Sequence, residues 1–365
     1  MRKITRVNRS VSFFPAISIM SGNPYWTVLA DSLQKFGVKF YYNTPNAFTL
    51  QWLLQHRKQV GILHLHYCQQ FYTVYKGRTH LPSVLRFAFH LLMARVLGFR
   101  TVFTLHNLEP TYQLQPVWLD YLGHWFAVNL TDRVIVHCEE ARNLLAQHYK
   151  RRRQTFIVDH PNCINWYPNT ISKENAREAL NFSNNLFMFV FFGGVRPNKG
   201  IETLIQAFLS RKEENFRLVI AGKIFPPESY SHSLQELAKE DDRIIFHLRH
   251  IPDNEIQIFM NAADVVVLPF TRILTSSSAH LAMSFSRPVI LPRMGCLAEL
   301  VEADAGWLFE PNNADSLAMA MKLASVSNLN QMGQRAFQKI SSYTSEHFAE
   351  QTIHAYWNQD SYRRT

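Results

Sequence analysis

Short apolar runs alternate with helical patterns along most of the chain. The strand-like runs cover residues 11–20, 37–42, 62–66, 101–105, 133–137 and 155–158, then 187–192, 217–221, 244–248, 265–268 and 288–291. Apolar positions at helical spacing predict helices over 26–36, 49–58, 82–97, 116–130 and 139–149, then 200–211, 231–239, 253–261 and 277–285. Strands separated by helices of this length predict an α/β protein with parallel sheets and right-handed crossovers.

The alternation occurs twice, once before and once after about residue 170. A chain of 365 residues is also too long for one core, because single cores stop growing at about 250–300 residues. We therefore predict two doubly wound, Rossmann-like domains joined near residues 167–173. In such folds a ligand lies in a cleft outside the carboxyl ends of the strands.

The first strand lies close to a basic N-terminus, and that combination also occurs in signal peptides. The strand interpretation is favoured because the apolar run of residues 11–20 is short and contains Ser12, Pro15 and Ser18. No run reaches the roughly 18 uncharged apolar residues that a membrane-spanning helix needs.

Charge is distributed unevenly between the two halves. Residues 1–170 carry 19 Lys and Arg against 7 Asp and Glu, or +12, whereas the remaining residues carry 19 against 21, or −2. A basic first half indicates an anionic partner, namely nucleic acid, a membrane face or a phosphorylated substrate. Nucleic acid is not expected, because no RNP, helix-turn-helix or zinc-finger pattern is present.

Two segments of the first half could contact an anionic membrane: the apolar segment 82–98 and the basic cluster 150–153. Alternatively, the first is a core helix and the second a solvated turn.

The strongest local motif follows the strand at 187–192. Gly193 and Gly194 end this strand, Arg196 and Lys199 follow, and a helix begins at residue 201. Glycines allow backbone N–H groups to approach a ligand, and a helix N-terminus with two cations suits a phosphate. Neither the dinucleotide pattern GxGxxG nor the P-loop GxxxxGK[ST] occurs there. The alternative is a plain strand-to-helix turn with two solvated cations.

A second motif follows the strand at 265–268. Arg272 is followed by four hydroxyl residues at the start of a helix: Thr275, Ser276, Ser277 and Ser278. One of them would suffice as an N-cap, which is the structural alternative. Together they could bind the oxygens of a diphosphate.

At this point the sequence resembles a known family. The strings FGGVRPNKG at 192–200, LVIAGK at 218–223 and NAADVVVLP at 261–269, with the segment 287–301, are similar to the nucleotide-sugar half of GT-B glycosyltransferases, in particular the family 4-like bacterial group. The first half agrees through NPY at 23–25, HLHY at 64–67, TLHNL at 104–108 and VHCEEAR at 136–142. The likeness covers nearly the whole chain.

The chain departs from the family pattern at two places. Gly194 stands where the commoner pattern has Arg, and Ile273 and Leu281 stand where two Glu are typical. The segment 273–278, Ile-Leu-Thr-Ser-Ser-Ser, is similar to a variant of that group without the Glu pair. Glu299 is then the nearest acidic substitute.

The resemblance implies a GT-B fold with two domains facing a cleft. It implies an acceptor-binding domain over 1–168, a nucleotide-sugar-binding domain over 169–340 and a C-terminal helix, 341–365, that crosses back to the N-terminal domain. The implied activity is transfer of a hexose from a GDP- or UDP-sugar to a glycan or lipid-linked acceptor in surface polysaccharide or glycolipid synthesis. The implied location is cytoplasmic, with peripheral contact to the inner membrane face. No cofactor or metal is expected, and the four cysteines show no metal-ligand spacing.

The site residues follow from the matching positions. The donor set is Gly193, Gly194, Arg196, Lys199, Lys223, Arg272, Thr275, Ser276, Ser277, Ser278 and Glu299. The acceptor set is Asn23, Tyr25, His66, Asn107 and His160. The catalytic candidates are His106 and His66, as neutral bases after strands, and Lys199, which would stabilise the leaving diphosphate. Two alternatives remain: a GT-B nucleotide-sugar epimerase or related hydrolase, and a catalytically silent relative that binds nucleotide sugar.

Overall fold

A computed structural model of the chain describes residues 9–17, 24–42, 49–75, 77–109, 114–301 and 304–358. The chain divides into two compact units. The first unit comprises the residues up to Pro161 together with those from Thr344 onward, and the second unit comprises Asn162–Tyr343.

The described strands and helices follow one another in the predicted alternation. The strands are β1 Ser10–Phe14, β2 Lys39–Phe40, β3 Ile62–Leu65, β4 Thr73–Tyr75, β5 Arg78–Thr79, β6 Arg100–Thr104, β7 Arg133–Val136, β8 Thr155–Ile157, β9 Phe187–Phe192, β10 Phe216–Ala221, β11 Ile244–His247, β12 Val265–Val267, β13 Val289–Pro292 and β14 Gly306–Phe309. The helices are α1 Tyr25–Lys35, α2 Leu50–His56, α3 Leu81–Val96, α4 Val117–Leu130, α5 Glu139–Tyr149, α6 Lys173–Ala179, α7 Ile201–Leu209, α8 Ser229–Ala238, α9 Ile256–Ala262, α10 Ser277–Ser284, α11 Leu297–Val301, α12 Ala314–Ser325, α13 Leu329–Ser341 and α14 Ser345–Trp357.

Each unit is built on a six-stranded parallel sheet. The strand order is β2-β1-β3-β6-β7-β8 in the first unit and β11-β10-β9-β12-β13-β14 in the second. The predicted α/β class with parallel sheets is therefore confirmed. The order reverses direction between β1 and β3 and between β9 and β12. Ligands of such sheets bind at these reversal points, outside the carboxyl ends of the strands.

The central strands are apolar because helices cover both faces of each sheet. β9, with the sequence FMFVFF, is buried along most of its length between β10 and β12. Its burial fixes the loop that begins at residue 193, because a rigid strand sets where the following backbone starts.

The boundary between the units lies seven residues before the predicted end of the first domain at 168. The Asn162 N–H donates to the Tyr343 carbonyl at 2.7 Å, and the Cys163 N–H donates to Ser284 Oγ at 2.9 Å. Both partners belong to the second unit, so residues 162–168 pack with it. The other boundary lies at Tyr343 rather than at the predicted residue 340.

The C-terminal helix α14 packs within the first unit, against α1 and β7. Two arginines from the sheet hold its last turn. Arg100 donates to the Tyr356 carbonyl at 2.6 Å, and Arg133 donates to the Ala355 carbonyl at 2.6 Å. These bonds satisfy carbonyls that a helix end leaves without an intrahelical partner.

Candidate functional site

In the second unit, the loop after β9 is enclosed by the loop after β10. The Val195 N–H donates to the Lys223 carbonyl at 2.8 Å, and the Phe225 N–H donates back to the Val195 carbonyl at 3.0 Å. Gly222 permits this approach: a Cβ at that position would lie 1.9 Å from the Gly193 carbonyl oxygen. Gly193 itself has a φ of +149°, which side chains rarely adopt. The two loops thus form one backbone cradle.

The glycine loop also contacts the hydroxyl-rich loop that follows β12. The Thr271 N–H donates to the Asn198 carbonyl at 3.2 Å. A Cβ built on Gly193 would lie 3.3 Å from Ser278 Oγ. The two motifs that the sequence analysis singled out are therefore neighbours, and they meet at the reversal point between β9 and β12.

Lys199 lies between these two loops. Its ammonium stands over the Phe270 ring, 4.4 Å from the ring centroid. Burial and, to a smaller extent, the nearby Arg196 guanidinium together lower the pKa of Lys199 to about 7. A half-buried lysine with this pKa takes up a proton and becomes fully charged when an anion binds beside it, which suits a phosphate.

Arg196 and Lys223 lie near a second aromatic ring, that of Phe225. The Arg196 guanidinium carbon is 5.4 Å and the Lys223 ammonium 5.8 Å from its centroid. With Lys199, three cationic side chains therefore belong to the cradle formed by the β9 and β10 loops. Such a concentration of positive charge favours a multiply charged anion.

The hydroxyl residues divide into one cap and three others. Ser276 is the N-cap of α10, and its Oγ accepts from the Ala279 N–H at 3.2 Å. Thr275, Ser277 and Ser278 are half-buried rather than fully buried. The N-cap interpretation therefore applies to Ser276, and Thr275, Ser277 and Ser278 lie beside it at the start of α10.

Two further predicted donor residues flank this region. Arg272 is exposed on the loop between β12 and α10. Glu299 is half-buried in α11, after β13. The loop before α11 joins the hydroxyl loop through the Cys296 N–H, which donates to the Leu274 carbonyl at 2.8 Å.

Gly194 belongs to the cradle, where a Cβ would lie 2.8 Å from the Phe225 ring. A larger residue, such as the Arg of the commoner pattern, would require that ring to move.

The first unit collects histidines at the carboxyl ends of its strands. His66, His106, His137 and His160 follow β3, β6, β7 and β8, and each ring lies within 6.2 Å of the Tyr25 ring, centroid to centroid. His64, within β3, is held by Tyr356 Oη at 2.6 Å and Thr104 Oγ1 at 2.7 Å. The structure thus brings the predicted residues Tyr25, His66, His106 and His160 together.

His66 and His106 are hydrogen-bonded to each other. His66 Nδ1 lies 3.3 Å from His106 Nε2. Burial lowers both pKa values well below the usual range, and neighbouring histidines lower them further. Both rings are therefore neutral near pH 7, as a proton acceptor must be. His66 is fully buried whereas His106 is half-buried, so His106 is the more accessible of the pair.

The other predicted acceptor residues have mixed positions. Tyr25 and His160 are buried, and His160 Nδ1 is 2.9 Å from the Pro161 carbonyl. Asn107 is half-buried beside His106. Asn23 lies outside the described residues. Tyr25 and His160 are thus buried parts of the histidine cluster, whereas Asn107 is partly accessible.

Several residues of these sites were not predicted from the sequence. Gly222, Phe225 and Phe270 shape the cradle, and His137 completes the histidine cluster. Their positions in the sequence could have indicated them, because each residue comes directly or closely after a buried strand. Ring stacking and close backbone approach, however, depend on neighbours that are distant in sequence.

Two findings complete the description of the described residues. None of their helices combines the length and the apolar character needed to cross a membrane. They also contain no group of three or more His, Cys, Asp or Glu side chains arranged to hold a metal ion.

Comparison with known proteins gives a match for most of the second unit. Residues 172–339 match the family described as glycosyl transferases group 1. This range contains the cradle, the hydroxyl loop and α11. The cationic site therefore lies within the matched domain.

Relatives match larger shares of the chain. The GDP-mannose:glycolipid 4-beta-D-mannosyltransferase of Xanthomonas campestris pv. campestris is 26% identical over 296 residues, covering 79% of this chain and 75% of that protein. Sucrose-phosphate synthase from Thermosynechococcus elongatus superposes with a TM-score of 0.75 at 17% identity, covering 95% and 98% of the two chains. HepE from Anabaena, in complex with UDP-glucose, gives 0.71 at 17% identity, covering 94% and 98%. The chain has the GT-B fold, and its residues 172–339 match the family described as glycosyl transferases group 1.

Proposed function

We propose that this protein is a glycosyltransferase of the family 4-like group that moves a hexose from a GDP- or UDP-sugar to a glycan or lipid-linked saccharide. The observation that carries the proposal is Lys199, which lies half-buried where the glycine loop meets the hydroxyl loop, with its ammonium over the Phe270 ring. The product class would be a surface polysaccharide or glycolipid.

The relatives support both the proposed donor, a nucleotide sugar, and the proposed lipid-linked acceptor. The Xanthomonas relative uses GDP-mannose and a glycolipid, and the HepE structure contains UDP-glucose. The first favours a lipid-linked acceptor, and both favour a nucleotide-sugar donor.

On the donor side, the second unit would stabilise the leaving group. Breaking the bond between the anomeric carbon and the phosphate oxygen places negative charge on the departing nucleoside diphosphate. Lys199 and Arg196, with the N-terminus of α10 and its hydroxyls, supply fixed positive charge and donors where that charge develops. We propose that these groups replace a metal ion in this role.

On the acceptor side, His106 would accept the proton of the attacking hydroxyl. His66 is a positioning residue in this scheme: its Nδ1, 3.3 Å from His106 Nε2, would accept the proton on that nitrogen and leave Nδ1 of His106 as the base. Asn107 beside His106 would orient the acceptor. The acceptor oxygen forms the new bond to the anomeric carbon as the bond to the diphosphate breaks.

The direct experiment incubates purified protein with labelled GDP-mannose, UDP-glucose and other nucleotide sugars and a bacterial membrane extract. We expect label in the lipid or glycan fraction, dependent on extract, lost in Lys199→Ala and retained in Lys322→Ala, a matched exposed lysine of the second unit. EDTA should leave transfer unchanged. A labelled epimer of the donor would instead support the epimerase alternative, and donor binding without turnover would support a silent relative.

A further inference from the structure

The helix α3 exposes an apolar stripe on the surface of the first unit. Five of its side chains are exposed: Leu81, Leu85, Phe89, Leu92 and Val96. They occupy positions i, i+4, i+8, i+11 and i+15, which lie within an arc of about 80° on an ideal helix. The opposite side of α3 carries the buried residues that pack on the sheet. The helix is thus apolar on two faces, only one of which has a partner in this unit.

The neighbouring helix α4 also exposes large apolar side chains. α3 and α4 pack side by side, and the Arg95 side chain near the end of α3 donates to the Leu130 carbonyl at the end of α4, at 3.4 Å. The exposed large apolar side chains of α4 are Val117, Trp118, Tyr121 and Trp125. We call these nine side chains on α3 and α4 the apolar face. The second unit has five exposed large apolar residues among its described positions.

The exposed charge on α3 and α4 is positive. Residues 32–108 contain nine Lys and Arg and no Asp or Glu. Arg86 is exposed on α3. The acidic residues near α4 are engaged, since Asp120 is buried and Asp132 pairs with Arg95 at 2.8 Å. No exposed carboxylate on α3 or α4 therefore opposes an anionic partner.

A basic cluster lies beside the end of α4. The Arg151 guanidinium donates to the Val128 and Thr131 carbonyls, both at 2.9 Å, and this fixes the 150–153 segment there. Lys150, Arg152 and Arg153 are exposed. The apolar face thus has cations at its margin as well as within α3.

We propose that the apolar face and its cations dock the first unit on an anionic lipid bilayer. Apolar side chains of α3 enter the boundary of the acyl chains, and Trp118, Tyr121 and Trp125 occupy the headgroup level, where amphipathic rings are favoured. The cations contact anionic headgroups, each raising the partition coefficient roughly five-fold.

Charge decides between a bilayer and a second copy of this chain. In a symmetric dimer through this surface, the same basic residues would approach one another across the interface, with no acidic partner on α3 or α4. An anionic membrane neutralises them instead. The two packed helices together also expose nine large apolar side chains, more than the single scattered residues that need no explanation on a protein surface.

The test measures binding of the full chain to vesicles by flotation, without any sugar donor. We expect binding to vesicles of phosphatidylcholine with phosphatidylglycerol and at least ten-fold weaker binding to phosphatidylcholine alone. The double variant Leu85→Glu/Phe89→Glu should lose binding at least ten-fold. The double variant Arg152→Ser/Arg153→Ser should lose binding to the anionic vesicles while it keeps the wild-type melting temperature.

The matched control is Met319→Glu/Leu323→Glu on α12, two exposed apolar residues of the second unit, and it should bind like the wild type. Equal binding by the α3 variant and the wild type would overturn the proposal. So would a wild-type dimer in gel filtration that Leu85→Glu/Phe89→Glu dissociates, since a second copy would then cover this face. The assay needs no donor, so its failure leaves the proposed transferase reaction untouched.

Discussion

At the scale of single residues, the structure separates groups that carry charge from groups that shape the backbone. Lys199 carries the charge of the cradle, and its pKa of about 7 results from burial and from Arg196. Gly222 carries no chemistry but lets the Gly193 carbonyl approach. The sequence motif pointed to Lys199 because cation and glycines stand together, but it could not reveal the Phe270 ring beneath the ammonium.

The lowered pKa of Lys199 predicts a pH dependence of donor binding. Below pH 7 the lysine is charged in the free protein; above it, binding of the anionic donor must first take up a proton. The dissociation constant of UDP-glucose or GDP-mannose should therefore rise by up to about tenfold per pH unit above pH 7. The diphosphate of these sugars does not titrate in this range. Calorimetric titration between pH 6 and 9 measures the effect.

The matched variant for this experiment is Lys199→Arg, because an arginine stays charged throughout the range. Its dissociation constant should be nearly flat with pH. A wild-type curve that is equally flat would show that Lys199 keeps its charge at all these pH values or lies outside the donor site.

The histidine pair allows a second test at this scale. His106→Gln should lower kcat by about 10²–10⁴-fold, since general base catalysis contributes that much, with a smaller change in KM. His66→Gln should lower kcat less, because it acts through His106. His354→Gln, an exposed histidine of α14, serves as the control. Similar kcat values in His106→Gln and the control would exclude a base role for His106.

At the scale of elements, the loops after β9, β10 and β12 depend on one another. They are joined by backbone hydrogen bonds as well as by side-chain contacts, so a backbone disturbance in one loop affects all three. The strand and helix pattern predicted where these loops occur, since strand ends follow from hydrophobic periodicity. It could not predict the bonds between loops, which join residues about 28 and 73 positions apart, such as Val195 with Lys223 and Asn198 with Thr271.

Gly222→Ala tests this dependence. A Cβ would lie 1.9 Å from the Gly193 carbonyl oxygen, so the β10 loop must move away from the glycine loop. We expect the free energy of unfolding to fall by roughly 3 kcal/mol or more and the donor-induced thermal shift to disappear. Thermal unfolding with and without UDP measures both.

Gly98→Ala provides the comparison. Gly98 has a φ of +91°, but a Cβ there would meet nothing within 4 Å, so the cost should be only about 1–2 kcal/mol. Its donor-induced shift should match that of the wild type. Equal destabilisation by the two variants would mean that backbone conformation, not loop contact, sets the cost at Gly222.

At the scale of the whole molecule, the pattern of strands and helices predicted the α/β class and both parallel sheets. It did not yield β4, β5, α6 and the segment from α11 to α13. Several of these are too short to show a period, whereas α12 and α13 carry apolar residues at helical spacing from which both helices could have been predicted. The apolar face could not be predicted from the sequence. A helix that is apolar on two sides, such as α3, has the same sequence pattern as a core helix, whether or not another element covers its second side.

The histidine cluster predicts that the two units differ in acid stability. Burial lowers the pKa to about 3 for His64 and to about 4 for His137, and lowers His66 and His106 well below their usual range. The unfolded chain therefore binds more protons below pH 6.5, and the stability present above that pH is lost as the pH falls toward 4. Each histidine contributes about 1.4 kcal/mol per pH unit.

Hydrogen exchange between pH 7.5 and 5 measures this loss. Amides of β3 and β6 in the first unit should lose protection at a higher pH than those of β10 and β12 in the second. Replacing His64 by Gln should weaken the dependence, whereas replacing the exposed His250 of the second unit should not. Simultaneous loss of protection in both units would refute the assignment of acid sensitivity to this cluster.

The central claim is that the cradle of the second unit binds a nucleoside diphosphate through Lys199. The most direct measurement is equilibrium binding of UDP and of GDP to the wild type, Lys199→Ala and Lys322→Ala. The account predicts that one nucleotide binds the wild type and Lys322→Ala equally, and that Lys199→Ala binds it about 10–100-fold more weakly, as loss of one charge-assisted contact requires. Equal affinity of Lys199→Ala and the wild type would contradict it.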